Sequence, residues 1–515
     1  MVEEKPFDTE KKDSQETPLH HLAIVPREVA REVYFNLVYS VKPPFFKFFG
    51  KLSETIRSSI KLLTALMGFL IVYFLPLGLA PNAQAALAIF AGIALLWTTE
   101  AIPMPATALL VPVLLTAFGI FDTSDALLPF AHPVVYLILG GVILAGAVHK
   151  TGMDRRLLYP FLIRSGGRPD RLLLYMMLVS GILSMWISNT ATVALLAPFA
   201  ISLPATIEDK ESSRRLTKML LLGIGFAAVI GGLGTVIGSA PNAVASALLA
   251  QQGTWTFLDW MIIGVPTAAL LLFLTWKIIL KVIPVPDVSI DISHLEKDYS
   301  EMGRMTASEK KTLAIFILTI IFWVSGTTLG QWLGFNSSFM STAIVGLLAA
   351  ISLFALKIIT WEDARNVPWG VFLIIGAGLA LGEAIVNTGA ADWITDQLFT
   401  MLFGLPVLAI VLLIGFIIVV ISNFLNNTAS AAIFTPILIA LAASMDIDMR
   451  ILVLPVAMIL SLSFITPIGT PPITLMYSLG KVDRKELAKI GIIVTVPAVI
   501  ICVFMVMLLD FIGLI

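Results

Sequence analysis

Long uncharged apolar stretches recur along this chain from Lys61 to its C-terminus. Stretches of about 17 or more apolar residues are the length that a helix needs to cross the hydrocarbon core of a bilayer. The sequence is 58% hydrophobic and 13% charged, whereas about 25% charge is usual for soluble domains. The short alternating segments typical of a membrane β-barrel do not occur. The chain is therefore predicted to be an all-α polytopic membrane protein.

The apolar stretches give eleven candidate transmembrane spans and two further segments, 172–205 and 405–444, that are each long enough for two short helices. The predicted spans are 61–80, 83–99, 104–121, 134–149, 216–250, 257–283, 311–333, 340–357, 367–387, 449–478 and 486–513. The lipid bilayer is therefore an expected partner. A net charge of −1 gives no reason to expect a nucleic-acid partner.

A short polar motif lies in the middle of each of the two further segments. Residues 188–191 (SNTA) lie within 172–205, and residues 426–429 (NNTA) lie within 405–444; neither segment holds a charged side chain. Amide and hydroxyl groups are costly in hydrocarbon unless they have partners. The motifs therefore indicate a polar site inside the membrane, to which each half of the chain contributes. The alternative is that these side chains only bond helix to helix, as is common in membrane bundles.

The basic residues are concentrated in alternate loops. Six, four, six and four Lys or Arg residues occupy segments 150–171, 206–218, 277–311 and 481–489, whereas none occupies 122–132, 251–256, 330–339 or 388–404. Basic loops stay in the cytoplasm, so the N-terminus is predicted inside and the C-terminus outside. By the same rule, 172–205 starts and ends on the cytoplasmic side, and 405–444 starts and ends on the outer side. Each is predicted to be a re-entrant hairpin whose tip lies at mid-membrane.

The two halves of the chain also resemble each other. Residues 137–152 match 374–389 at an offset of 237, and Asn427 follows Asn189 at an offset of 238. A helix broken by Gly and Pro follows each hairpin, at Gly238 and at Gly469, with an offset of 231 between the two breaks. Because the hairpins enter from opposite sides, we predict repeats of inverted topology. That arrangement is typical of secondary transporters with alternating access.

Each hairpin tip is expected to leave backbone groups unpaired where one helix ends and the next begins. The second helix then presents N–H groups and the positive end of its dipole to an anion. Carbonyl groups at the end of the first hairpin helix and near Gly238 or Gly469 suit a small hard cation. Neither hairpin contains Lys or Arg, so amides, hydroxyls, dipoles and any bound cation must hold the anion. Two facing half-sites suit a substrate with two carboxylates.

Taken together, these features resemble the divalent anion/sodium symporter family. The resemblance is carried by the paired motifs and by residues 97–103 (WTTEAIP), 369–372 (WGVF) and 469–472 (GTPP), and it extends from about Lys61 to the end. It implies a homodimer in which each protomer has eleven spans and two re-entrant hairpins. It also implies an elevator-type mechanism, in which a transport domain moves against a scaffold to carry dicarboxylates, citrate or sulfate.

The resemblance further implies roles for single residues. Substrate carboxylates would contact Ser188, Asn189, Thr190, Asn427 and Thr428, with Asn426 as a further amide donor and with Thr470 and Pro471 nearby. The first sodium site would use Ser184, Ser188, Asn189 and Gly238, and the second would use Ser422, Leu425, Asn427 and Gly469.

This chain departs from the family pattern at Asn426, where Ser is usual, and at Ile473, where Asn is usual. Both changes fall in the second half and weaken the match at the second sodium site. We therefore expect sodium-independent exchange of dicarboxylates such as succinate, malate, fumarate or 2-oxoglutarate, with sodium-coupled symport of the same acids as the alternative. More distant alternatives are a membrane-embedded enzyme and a channel. The five His residues are scattered and Cys502 is the single Cys, so no enzyme activity and no cofactor beyond sodium ions is expected.

These inferences divide the chain into four segments. They are a cytoplasmic or interfacial N-terminal segment (1–59), a first repeat (60–283), a cytoplasmic linker (284–310) and a second repeat (311–515). The expected location is the plasma membrane, with several passes and a cytoplasmic N-terminus.

Overall fold

A computed structural model describes residues 54–514, apart from 254, 333, 335, 336, 366, 403 and 468. Within this described part every regular element is a helix, as the all-α prediction requires. Most of the predicted N-terminal segment, 1–53, lies outside the described residues.

The first half of the described chain contains eleven α-helices. They are α1 (Glu54–Phe74), α2 (Pro81–Thr99), α3 (Met104–Ala117), α4 (Thr123–Leu127), α5 (Pro133–Thr151), α6 (Met153–Arg164), α7 (Pro169–Ser184), α8 (Asn189–Ala205), α9 (Lys210–Gly231), α10 (Ala240–Gln252) and α11 (Phe257–Val282). Short 3₁₀ turns follow α4 (Leu128–Ala131) and α9 (Gly232–Gly234).

The second half of the described chain contains eleven more. They are α12 (Ser293–Glu301), α13 (Ala307–Trp332), α14 (Thr342–Ala355), α15 (Trp361–Ala364), α16 (Trp369–Asn387), α17 (Ala390–Leu402), α18 (Val407–Ser422), α19 (Asn427–Ser444), α20 (Met449–Ser461), α21 (Pro471–Ser478) and α22 (Arg484–Phe511). A 3₁₀ turn, Ser337–Met340, precedes α14.

Seven helical segments of the described chain are long and apolar enough to cross a membrane. They are Pro81–Thr99, Thr123–Thr151, Lys210–Gly234, Phe257–Val282, Trp369–Asn387, Asn427–Ser444 and Arg484–Phe511. Six shorter apolar helices accompany them, among them Met104–Ala117 and Thr342–Ala355. These lengths support a multi-pass membrane protein, and the count of eleven spans stays a prediction.

The helix order repeats between the two halves. Helix α14 begins and ends at an offset of 238 from α3, and the first hairpin arms α7 and α18 show the same offset at both ends. The second arms α8 and α19 also begin at this offset, at Asn189 and Asn427. The sequence repeat is therefore matched by a repeat of helical elements. Its inverted orientation stays a prediction.

The two halves interlock through their broken helices. Helix α10 of the first half packs against the hairpin arm α19 of the second, and α21 of the second half packs against the arm α8 of the first. A second group pairs α5 with α14 and α3 with α16. A methyl group on Gly140 of α5 would lie only 2.4 Å from the backbone of Gly346 in α14, so these two helices cross in direct backbone contact.

Both predicted helix breaks are present. Helix α9 ends at Gly231 and α10 begins at Ala240, while α20 ends at Ser461 and α21 begins at Pro471. Proline in the first turn starts both second pieces, where its missing N–H costs no helical hydrogen bond. The predicted spans 216–250 and 449–478 are therefore each two α-helices joined by a segment that is not α-helical.

The first arm of each hairpin is short. Helix α7 has 16 residues and α18 also has 16, which at about 1.5 Å per residue gives about 24 Å. A full crossing needs about 30 Å. The second arm α19, with 18 residues, is among the segments long enough to cross, so the re-entrant form of the hairpins stays a prediction.

Two segments interpreted as loops are helical. Residues 150–171 contain α6, and 388–404 contain α17. A search for long apolar stretches misses both because each is short and mixes polar with apolar residues. Helix α6 is held by Arg156, whose Nε donates to Glu309 Oε1 at 2.8 Å and so ties it to the start of α13.

Candidate functional site

The tip of the first hairpin is a capped helix start. Helix α7 ends at Ser184, and α8 begins at Asn189 with Ser188 as its N-cap. The Ser188 hydroxyl oxygen accepts a hydrogen bond from the backbone N–H of Ala191 at 3.2 Å, which satisfies one free amide of the helix start. Ser188 is exposed and Asn189 and Thr190 are half-buried, so this tip is open to a ligand.

The tip of the second hairpin is built in the same way with a different cap. Helix α18 ends at Ser422, and α19 begins at Asn427 with Asn426 as its N-cap. Asn426 Oδ1 accepts from the N–H groups of Thr428 at 2.9 Å and Ala429 at 3.3 Å. Its exposed amide N–H₂ group has no partner within the described residues. The second tip therefore offers two N–H donors where Ser188 offers one O–H.

The predicted first sodium site is brought together around Asn189. The Ser184 hydroxyl lies 2.5 Å from Asn189 Oδ1. A methyl group on Gly232, in the break after α9, would lie 2.8 Å from the carbonyl oxygen of Gly238 and 2.9 Å from both Oδ1 and Nδ2 of Asn189. Gly232 thus keeps open a small space bordered by a carbonyl oxygen and by the Asn189 amide, whose oxygen is a second neutral donor. These neutral oxygen donors fit a small hard cation, whereas Ser188 lies further out at the tip.

The predicted second sodium site is brought together differently. The Ser463 hydroxyl lies 2.9 Å from the Ser422 carbonyl oxygen, 3.1 Å from Ser422 Oγ and 3.3 Å from Asn427 Oδ1. A methyl group on Gly469 would lie 2.7 Å from Cβ of Ser463, so Gly469 also borders this serine. Leu425 lies in the turn between the arms, where its N–H donates to Ile421 O at 3.1 Å.

In each half, one threonine that was not predicted from the sequence joins the break to the hairpin by a hydrogen bond. Thr235 Oγ1 donates to the carbonyl oxygen of Met185 at 2.5 Å, and Thr466 Oγ1 donates to that of Asn423 at 2.6 Å. The donors Thr235 and Thr466 are separated by the same offset as the two breaks, and the acceptors Met185 and Asn423 by the same offset as the two hairpin motifs. The contact therefore occurs in both repeats, and an alignment of the two breaks in the sequence would have pointed to these threonines.

A buried asparagine stabilises the backbone at each break, from a different position in each half. In the first half, Asn242 Nδ2 donates to the carbonyl oxygens of Gly232 and Thr235, both at 2.8 Å. In the second half the equivalent residue is the buried Ile473. There the hairpin residue Asn423 bonds different backbone groups of the break, because its Oδ1 accepts from the N–H groups of Ile465 at 2.9 Å and Thr466 at 3.3 Å.

The two half-sites are linked through their breaks. Ser239 Oγ lies 2.8 Å from Ser461 Oγ, which joins the start of α10 to the end of α20. Thr470, the repeat partner of Ser239, is 6% exposed, and its hydroxyl has no partner within the described residues. Pro471 is exposed beside it. Thr470 therefore has a buried hydroxyl without a partner in this part of the chain, and its role in substrate binding stays a prediction.

The site is built from neutral groups. The predicted substrate and sodium residues are Ser, Asn, Thr, Gly, Leu and Pro, and neither hairpin contains Lys or Arg. A carboxylate there would be held by helix N-terminal N–H groups, amide N–H₂ groups and hydroxyls. The charge of the site itself therefore does not vary with pH. The fold and this paired site define a polytopic helical protein of the secondary-transporter class.

Comparison with known proteins identifies the family. A family model described as the sodium:sulfate symporter transmembrane region matches residues 57–512. The Staphylococcus saprophyticus protein named sodium-dependent dicarboxylate transporter SdcS is 31% identical over 465 residues, which cover 85% of this chain and 88% of that protein. The Staphylococcus aureus protein of the same name is 31% identical over 506 residues, covering 92% and 96%. An uncharacterized transporter of Haemophilus influenzae is 33% identical over 448 residues, covering 86% and 95%.

This chain belongs to the divalent anion/sodium symporter family. The resemblance inferred from the motifs is confirmed, and with it the interpretation as a multi-pass membrane transporter.

Proposed function

We propose that this protein is a sodium-coupled symporter of dicarboxylates of the succinate, malate, fumarate and 2-oxoglutarate class. The observation that carries the proposal is the pair of neutral half-sites, one per repeat, joined by the Ser239–Ser461 contact. Two clusters of N–H and O–H donors match two carboxylates. The relatives named as sodium-dependent dicarboxylate transporters favour this function over sodium-independent exchange.

The chain's own residues bind and orient the substrate. One carboxylate lies at the start of α8, near Ser188, Asn189 and Thr190. The other lies at the start of α19, near Asn426 and Thr428, and the Thr470 hydroxyl, which has no partner within the described residues, is a further donor. Sodium, when bound, supplies the positive charge that the protein lacks at this site. Ser184, Asn189 and Gly238 would hold it in the first half-site.

Movement of the site follows the packing of the helices. The hairpins, broken helices and the long helices α11 and α22 pack on one another, whereas α3 pairs with α16 and α5 pairs with α14 to make up a second group, of which α16 also packs extensively on the hairpin arm α19. We propose that the first group moves elevator-fashion against the second within a homodimer in the plasma membrane, with the N-terminus in the cytoplasm. The contact of Gln251 in α10 with Glu383 in α16, at 2.9 Å, lies between the two groups.

Uptake of labelled succinate into proteoliposomes tests the proposal. A sodium gradient should drive uptake into empty vesicles, and Asn189→Ala and Asn427→Ala should each abolish binding. The matched control is Asn82→Ala, an exposed asparagine in the first turn of α2. Uptake that needs vesicles preloaded with dicarboxylate and ignores sodium would instead establish exchange. Unchanged binding in both site variants would disprove the site.

A further inference from the structure

We infer that the second half-site of this chain holds the Ser463 hydroxyl in place of a cation, so that a single sodium ion, bound in the first half-site, accompanies each substrate. This inference rests on the proposed sodium-coupled function. It concerns which of the two repeat-related positions can accept an ion.

The two repeat-related ion positions differ in the residue at their centre, which is glycine in the first half and serine in the second. Ser463 follows Gly232 at an offset of 231, the same offset that relates the breaks at Gly238 and Gly469. In the first half, a methyl group on Gly232 would collide with Gly238 O and with the Asn189 amide. In the second half, a side chain is present at this point. The space that glycine leaves open in one repeat is therefore filled by serine in the other.

The hydroxyl of Ser463 lies where a cation would be coordinated. Its three oxygen neighbours are the Ser422 carbonyl at 2.9 Å, Ser422 Oγ at 3.1 Å and Asn427 Oδ1 at 3.3 Å. Ser422 and Asn427 belong to the expected sodium ligands. In the first half the corresponding Ser184 and Asn189 bond each other directly at 2.5 Å. In the second half the Ser463 oxygen stands between them.

A hydroxyl satisfies these oxygens without adding charge. The Ser422 hydroxyl already donates to the Val419 carbonyl oxygen at 3.1 Å, so Ser463 adds a donor for the remaining acceptors, and an unsatisfied buried acceptor is costly. The missing positive charge is offset at the same tip by Asn426, whose side-chain carbonyl caps the helix and whose N–H₂ group has no partner within the described residues. The two unusual residues of the second half thus act together. Ser463 replaces the ion, and Asn426 adds donors to the carboxylate.

The number of sodium ions tests this inference directly. Purified full-length protein should bind one ²²Na⁺ per protomer at saturation, and the Hill coefficient for sodium should be about 1, since it cannot exceed the number of sites. Ser463→Gly creates in the second half the opening that Gly232 leaves in the first half, and it should raise the binding to two ions per protomer. Ser463→Ala removes the hydroxyl but keeps a Cβ where the first repeat has glycine, so it should admit a second ion more weakly than Ser463→Gly does, and it serves if the glycine variant does not fold.

Ser430→Ala is the matched control. Ser430 is buried in the same hairpin arm, and its hydroxyl has no partner within the described residues, so this variant should keep one ion. Two ions bound by the wild type, or one ion retained in both Ser463 variants, would overturn the inference. Two ions with sodium-driven uptake would leave the symport proposal standing. Succinate transport without any bound sodium would defeat both.

Discussion

Gly232 gives the sharpest test of the first half-site. Replacing it by alanine places a methyl group 2.8 Å from Gly238 O and 2.9 Å from Asn189 Oδ1. Comfortable contacts for carbon begin at about 3.5 Å. The carbonyl and the amide must therefore separate by several tenths of an ångström, and overpacking of this kind costs about 1–3 kcal/mol.

The cost should appear in sodium binding. Both displaced oxygens border the proposed ion site, so the strain opposes the geometry that the ion needs. A penalty of about 1–3 kcal/mol lowers sodium affinity by roughly 5- to 140-fold, since 1.4 kcal/mol is a factor of ten. The assay is the sodium concentration that gives half-maximal succinate uptake in proteoliposomes, together with sodium-dependent thermal stabilisation of the purified protein.

Gly146→Ala is the control for this substitution. Gly146 lies in α5, and a methyl group there meets nothing within 4 Å. The change is therefore expected to leave sodium dependence unaltered and, by helix propensity, to stabilise the protein by up to about 1 kcal/mol. If Gly232→Ala keeps the half-saturation of the wild type, the opening at Gly232 is not the ion site and the reasoning fails.

Particular contacts and the neutral site give three further predictions. Thr466→Val removes the hydroxyl that donates to Asn423 O and should destabilise the protein by about 1–3 kcal/mol in thermal unfolding; an unchanged midpoint would contradict a fastening role. Glu383→Ala removes the contact with Gln251 and should change the maximal uptake rate while leaving succinate affinity intact, as measured by uptake kinetics and equilibrium binding; altered affinity alone would argue against a contact between moving groups. Because the site residues are neutral, succinate affinity at saturating sodium should be independent of pH wherever both of its carboxylates are ionised, and a titration step in binding measurements there would reveal an unidentified ionisable group.

Apolar length and polar interruption predicted much of the fold. The hairpin arms and the breaks are found where the motifs at Asn189 and Asn427 and the glycines at 238 and 469 indicate them. The helices α6 and α17 were missed because short helices that mix polar and apolar residues lack a long apolar stretch. Their lengths, 12 and 13 residues, give them no signature in a search for spans.

Contacts between segments distant in the chain were harder to predict. The role of Ser463 depends on the break folding back onto the hairpin 41 residues earlier, which no local pattern encodes. The offset between the two breaks nevertheless aligned Ser463 with Gly232. That comparison was available from the sequence and would have pointed to the unequal half-sites.

The expectation of sodium-independent exchange rested partly on Ile473, and the structure gives that residue another explanation. Asn242 in the first half satisfies carbonyl oxygens of the break, and Asn423 in the second half satisfies its N–H groups instead. Ile473 therefore marks a different way of bonding the break, and it is not itself one of the expected sodium ligands. The relatives named as sodium-dependent are consistent with this correction.

The charge moved per cycle separates one bound sodium from two without any binding measurement. Over a complete transport cycle the protein returns to its starting state, so the net charge moved across the membrane is that of the cargo alone. One sodium with a dicarboxylate dianion leaves one negative charge, and an inside-negative potential opposes its uptake by about 2.3 kcal/mol per 100 mV. Two sodium ions would leave no charge and no response to potential. Uptake into vesicles clamped with potassium and valinomycin should therefore accelerate when the inside is made positive, and Ser463→Gly should lose that response. Potential-independent uptake by the wild type would contradict a single coupled ion.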